Sequence, residues 1–190
     1  MKEPTRCRWS GSEDPLYIAY HDTEWGVPVF DDQKLFEFIV LESAQAGLSW
    51  KTILNRREGY RNAFKNFDPA EVAKMTEEDV ERLMRDASII RNRKKIEATI
   101  KNAKAFLKVQ DEFGSFANYM WGFTGGKPIL NSWNTGEIPA ITPLSMDMAK
   151  DLKRRGFAFL GKTTWYAHMQ AVGMVNDHEV DCFRYHEVAI

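Results

Sequence analysis

The sequence has only two cysteines, Cys7 and Cys182, 175 positions apart. That scarcity excludes a disulfide scaffold, and in a reducing compartment the pair reads as free thiols or metal ligands. No run approaches the about 18 consecutive apolar residues of a membrane span, and the start of the chain lacks the apolar segment of a secretory signal. A cytoplasmic protein without membrane contact is therefore expected. Charge of one sign is also lacking: 26 basic residues stand against 27 acidic ones, so any contact with a polyanion must come from local clusters. Strand-like alternation, internal repeats and low-complexity segments are absent as well. What remains points to an all-α fold of short helices in one domain spanning residues 1–190.

Six Trp, six Tyr and twelve Phe enrich this chain in aromatics, which suits a dense core and stacking surfaces. The stretch from Leu35 to Trp50 is the focus. Leu35, Phe38, Ile39 and Ala46 recur at helical spacing, and Glu42 lies on the same inward stripe. An unpaired carboxylate there would cost several kcal/mol, about the penalty for any buried polar group without a partner. Two readings are open, a buried ion pair or cap on one side and a ligand-binding acid on the other. Gly47 fits a left-handed helix end and Ser49 an immediate new start, with Leu48 at the tip of the corner and Trp50 just after it. An acid and a large aromatic flanking a tight corner suit a pocket for a flat, hydrogen-bonding ligand.

Other helix starts are legible. A short helix is expected around Leu16 to Ala19, with Tyr20 and His21 at its end. Asp31 or Asp32 caps the Glu42 helix, and the helix from Ser49 should run to about Gly59. Asp68-Pro69-Ala70-Glu71 and Thr76 with Glu77, Glu78 and Asp79 are further starts. A long helix spans Arg93 to about Asp111, residues 124–142 read as a surface loop, and Thr142-Pro143 opens a helix ending near Gly156. Between that helix and the next lies an apolar turn closed by Gly161. The following Lys162, Thr163 and Thr164 offer free N–H groups for a phosphate, although an ordinary glycine connection has the same pattern. His178 and Cys182 are four apart, as a chelate on one helix face would be. Cys7 and His21 could complete a closed tetrahedral site, although a lone His-x3-Cys is also a common accident of sequence.

Three ordered motifs carry a resemblance. They are Tyr-Ile-Ala-Tyr-His-Asp-Thr-Glu-Trp-Gly-Val-Pro at 17–28, Leu41-Glu42 with Gln-Ala-Gly-Leu-Ser-Trp at 45–50, and Met-Gln-Ala-Val-Gly-Met-Val-Asn-Asp-His at 169–178. From about Cys7 to Cys182 the chain resembles the bacterial 3-methyladenine DNA glycosylase I family. The resemblance implies a helix-hairpin-helix DNA glycosylase fold, with two helical lobes and one structural zinc joining the two termini through Cys7, His21, His178 and Cys182. It places the extruded base among Trp50, Glu42, Tyr20, Trp9 and Tyr17, with Glu42 and Tyr20 serving the reaction. It puts Gly47 and Leu48 in the gap left by the nucleotide, and Gly161, Lys162 and Thr163 on the DNA backbone.

The activity so implied is hydrolysis of the N-glycosidic bond of N3-methyladenine in alkylated double-stranded DNA. A monomer would release free 3-methyladenine and leave an abasic site. The competing expectation is a non-catalytic, zinc-stabilised module that binds damaged DNA. Three departures stand out. Ser43 and Ala44 replace an expected Gly and Gln, the tail after Cys182 lacks a Cys-rich ending and has no assigned role, and Asn176 stands where many superfamily relatives carry a catalytic Asp.

Overall fold

The computed structural model describes residues 4–11, 14–134 and 137–188. Local capping chemistry sets most of the boundaries. Asp14 caps α1 (Pro15–Thr23), and Asp31 accepts from Lys34 N to cap α2 (Asp32–Gln45). Ser49 caps α3 (Trp50–Leu54), which stops well short of Gly59; the chain breaks at Asn55 and Arg56 before α4 (Arg57–Ala63). Asp68 caps α5 (Pro69–Ala73), and the Thr76/Asp79 capping box opens α6 (Glu77–Leu83). Asn92 starts α7 (Arg93–Phe113) and Ser115 starts α8 (Phe116–Gly122). After β1 (Ile129–Leu130), a Thr142/Ser145 box opens α9 (Pro143–Arg154), followed by α10 (Lys162–Ala171), β2 (Val175–Asn176) and α11 (Phe183–Glu187).

The helices assemble around α2, which contacts α3, α4, α7, α8 and α10. Every residue of α2 from Leu35 to Ala44 is buried. The expected apolar stripe is therefore not one face of an amphipathic helix but part of a helix enclosed on all sides, as a central core helix must be. Asp32 does not cap its own helix. Its carboxylate instead accepts from Phe116 N and Ala117 N at 2.8 Å each and from Gln110 Nε2 at 2.7 Å, tying α8 and α7 to the start of α2. Gly173 permits a close backbone approach: a Cβ there would lie 2.4 Å from Pro28 N, and its φ of +68° is left-handed.

The 124–142 segment departs from a plain surface loop. It carries β1, which pairs in parallel with β2 in the register Ile129↔Val175 and Leu130↔Asn176, and Trp133 adds a bridge to Glu179. Two-residue strands are too short to show an alternating pattern, so they leave no trace in the sequence. The residues beyond Cys182 also have a place. Phe183 packs beside His21, with ring centroids 6.2 Å apart, and Val188 is buried. Among the described residues no helix is long and apolar enough to cross a membrane.

Candidate base-binding and metal sites

Two acids of α2 are equally buried, Glu37 at 3% exposure and Glu42 at 4%, and their surroundings separate their roles. Glu37 meets Arg57 at 2.8 Å, Arg61 at 2.9 Å and Lys34 at 3.0 Å. Burial pushes its carboxyl up, but the hydrogen bonds and charges of Arg57 and Lys34 outweigh that and hold it below the ordinary range. Among the described residues Glu42 has no ion pair, and its Oε2 is buried without a hydrogen-bond partner. Burial alone raises its carboxyl to about 8. The structural ion pair that the sequence allowed for Glu42 is thus the situation of Glu37. A buried carboxylate kept unpaired on a packed helix is costly and calls for a ligand.

Glu42 opens onto a cavity of about 490 Å³ that also takes in Trp50, Tyr20, Trp9 and Tyr17. All five residues expected at a base pocket therefore converge. Trp50 and Tyr20 lie with ring centroids 5.3 Å apart and planes at 48°, while Trp9 meets Tyr17 edge to face at 5.5 Å. The indole N–H groups of Trp9 and Trp50 are buried without partners, as is Glu42 Oε2. Three residues that line the cavity thus carry polar atoms, two indole N–H groups and one carboxyl oxygen, that are buried without a partner among the described residues. Burial first, then the nearby charges of Glu42 and Glu24, raise the Tyr20 phenol well above its ordinary value, so it stays protonated.

Sequence reasoning missed Arg8, Trp25, Gln45, Ile138, Pro139, Ala167, Gln170 and Glu179, which complete the lining. Gln170 lies in a quoted motif and Arg8 and Glu179 each adjoin a candidate metal ligand, signals that could have been followed. Ile138 and Pro139 come from the supposed surface loop and carried no signal. Gln170 Nε2 donates to Asp177 Oδ2 at 2.7 Å, and the same carboxylate accepts from Tyr166 OH, Asn131 Nδ2 and Trp133 Nε1. That hub fixes which end of the Gln170 amide is turned away from Asp177.

Behind Trp9 and Trp25 lies the second cluster. The ligand atoms of Cys7, His21, His178 and Cys182 all fall within 4.8 Å of one another, and all four residues are buried. Cys7 Sγ is 3.3 Å and Cys182 Sγ 3.6 Å from His178 Nδ1, and Cys182 Sγ is 3.5 Å from His21 Nε2. The outward ring nitrogens are engaged. His21 Nδ1 donates to Asp22 Oδ1 at 2.8 Å, where the hydrogen bonds of Arg6 and His21 overcome burial to keep Asp22 a carboxylate. His178 Nε2 donates to Trp25 O at 3.0 Å. Both imidazoles therefore turn a lone pair toward the two thiols, the tautomers a metal site needs, so the cluster could hold a metal ion. The chelate is not helical: His178 and Cys182 lie in an irregular segment, and Cys182 is the residue before α11.

The corner after α2 forms as its residues dictate. Gly47 takes φ +79°, Leu48 is 40% exposed, and Ser49 accepts from Thr52 N. Gln45 and Trp50, on either side of the corner, both line the cavity. At the turn before α10, the left-handed residues are Gly156 and Phe159 rather than Gly161, which is extended with φ −71°. Among the described residues a Cβ on Gly161 would meet nothing within 4 Å, and no side chain caps the start of α10. Asn102 clamps the turn, donating to Ala158 O at 3.0 Å and accepting from Ala158 N at 2.7 Å. Farther along α10, Ala167 and Gln170 reach the cavity.

A family model described as methyladenine glycosylase matches residues 9–185. The chain is 54% identical over 181 residues to DNA-3-methyladenine glycosylase 1 of Escherichia coli (strain K12), covering 95% of this chain and 96% of that one. It is 50% identical over 179 residues to DNA-3-methyladenine glycosylase of Haemophilus influenzae, covering 94% and 96%. A solved structure of 3-methyladenine DNA glycosylase I from Staphylococcus aureus, described as giving the basis of 3-methyladenine recognition, superposes with a TM-score of 0.91 at 39% identity. That superposition covers 94% of this chain and 95% of the other.

Proposed function

The chain belongs to the methyladenine glycosylase family, and from that premise we propose that it extrudes 3-methyladenine from alkylated DNA and hydrolyses its N-glycosidic bond, leaving an abasic site. The observation that carries this reading is the buried, unpaired Glu42 in an aromatic cavity. N3-methylation makes the base cationic, so it departs neutral and needs no general acid. A damaged base also stacks and pairs weakly, which lowers the few kcal/mol, about that order, of extrusion. The cavity's task is then recognition: Trp50 stacks on the ring, Glu42 accepts from the amino edge and favours its positive charge, and protonated Tyr20 fixes the base. Water is the nucleophile. Asn176 takes no part, since its Nδ2 donates to Tyr185 O at 2.9 Å and its Oδ1 accepts from His178 N at 3.2 Å.

In this reading Leu48 fills the gap left by the base, while Gly161, Lys162 and Thr163 hold a phosphate. Zinc is the metal that two thiolates and two imidazoles suit, and it would supply a closed tie between the ends of one domain acting as a monomer. Incubating the protein with alkylated duplex DNA and chromatographing the released bases tests the proposal. 3-Methyladenine should appear above the spontaneous background. Binding without release would leave a damage-binding module.

A pH profile follows from Glu42. In the free protein its carboxyl titrates near 8, so at neutral pH it is largely protonated, and capture of a cationic base requires it to lose that proton. Below pH about 8, log kcat/KM on alkylated duplex should rise with a slope of about one, then level off. A flat profile from pH 6 to 9 contradicts the role of the carboxylate.

For the hairpin, Lys162→Ala should weaken binding to undamaged duplexes of any sequence alike. It should also make the slope of log affinity against log salt shallower by about 0.9, one phosphate contact. An unchanged salt slope in a fluorescence titration would remove Lys162 from the backbone contact.

A further inference from the structure

The helix α2 ends at Gln45, and its last carbonyls have no partner within the helix. One of them, Ala44 O, and the carbonyl of Ala46 just past the helix end are held from a distant element. Lys95, in the first turn of α7, donates from Nζ to Ala44 O at 2.8 Å and to Ala46 O at 2.6 Å. Its basic neighbours at 91–94 behave differently: Arg91 and Lys94 are exposed, and Arg93 pairs with Glu77 and Glu81. Among the described residues Lys95 has no acidic partner; it is half-buried, and burial pulls its ammonium below the ordinary value. An ammonium on the C-terminal carbonyls of a helix is the arrangement that the helix dipole favours.

What those carbonyls flank is the corner. Beyond them lie Gly47, whose missing Cβ would touch nothing, and Leu48, which is 40% exposed. The turn is closed by Leu48 N donating to Gln45 O at 2.6 Å, and among the described residues it is tied by the Ser49 cap on the α3 side and by Lys95 on the α2 side. We propose that Lys95 is a positioning residue that fixes the Gly47–Leu48 corner, so that Leu48 enters the duplex in register with the cavity that receives the base. The proposal rests on the glycosylase reading. A corner free to shift would fill the gap poorly, so extrusion would suffer while the cavity itself stayed intact.

Lys95→Met keeps the aliphatic stem and removes the donors, and Lys95→Arg restores donors able to reach two carbonyls. On alkylated duplex DNA, Lys95→Met should lower kcat/KM by about tenfold or more, the scale of losing hydrogen bonds from a charged donor. Excision from an alkylated single-stranded oligonucleotide, which has no stacked gap to fill, should stay within about twofold of wild type, as should affinity for free 3-methyladenine. Lys95→Arg should recover most of the loss on duplex, and the salt slope of duplex binding should be unchanged. An equal loss on single strand and free base would show a role in the pocket or the fold and overturn the proposal. A salt slope shallower by about one would make Lys95 a phosphate contact and overturn it too, as would full duplex activity in Lys95→Met. Wild-type protein inert on both DNA substrates would overturn the glycosylase reading, and this proposal with it.

Discussion

Replacing Cys182 with Ser should empty the proposed zinc site and lower the melting temperature by about 10 °C or more, the shift expected of a loss of several kcal/mol in a chain of this size. A serine hydroxyl stays protonated at neutral pH and is a poor zinc ligand, so the change removes one of four buried ligands without altering side-chain volume much. In a site formed only by the folded chain, binding energy is folding energy. The four ligands come from the two ends of the chain, so losing one releases the closure between residue 7 and residue 182. The damage should spread to the cavity: Arg8 and Trp9 follow Cys7, Glu179 follows His178, and all three line it. Affinity for free 3-methyladenine should therefore fall together with stability. Metal analysis of purified protein beside a thermal melt checks this. Far less than one zinc per chain in a wild-type protein of ordinary stability would contradict the structural role.

Features set by neighbours in sequence were legible, and features set by distant packing were not. Gly47 in the left-handed region, the Ser49 cap and the caps at Asp68 and Thr76 depend on a few adjacent residues, and they form where the sequence puts them. The spacing of His178 and Cys182 anticipated that the two side chains meet, but an irregular turn rather than a helix brings them together. Periodicity marked Glu42 as inward but gave Glu37 no comparable notice. What distinguishes the two is supplied by Arg57 and Arg61, some twenty residues downstream in α4. In the sequence Lys95 is simply one of four basic residues between positions 91 and 95. Its partners at Ala44 and Ala46 lie about fifty residues upstream, beyond any local pattern. The same holds for Ile138 and Pro139, carried to the cavity by a segment that the parallel pairing of β1 with β2 stitches down.

Glu42→Gln should produce the second large effect, and it should act in opposite directions on affinity and stability. The amide keeps the size of the carboxylate but loses its charge and turns one acceptor into a donor facing the adenine amino group. Losing a charge-assisted hydrogen bond to the base costs roughly 1.5 to 3 kcal/mol, or about one to two orders of magnitude in affinity. Stability should move the other way. With a folded-state carboxyl at about 8 against an ordinary 4.5, the unfolded chain holds fewer protons between those values, so wild-type stability is complete below pH 4.5 and declines as pH rises through 8. The neutral amide escapes that decline. Its advantage in a thermal melt should be absent near pH 4, grow across neutral pH to at most about 5 kcal/mol and stop growing above 8. An acid held in a structural ion pair would do the reverse and lose stability on becoming Gln.

Calorimetric titration of free 3-methyladenine into wild-type protein and into Glu42→Gln, at the same pH, measures the central claim. The account predicts saturable binding of one base per wild-type chain and an affinity lower by about tenfold to a hundredfold in the variant, with zinc content unchanged. Equal affinities in the two proteins would contradict it and remove Glu42 from the recognition of the base.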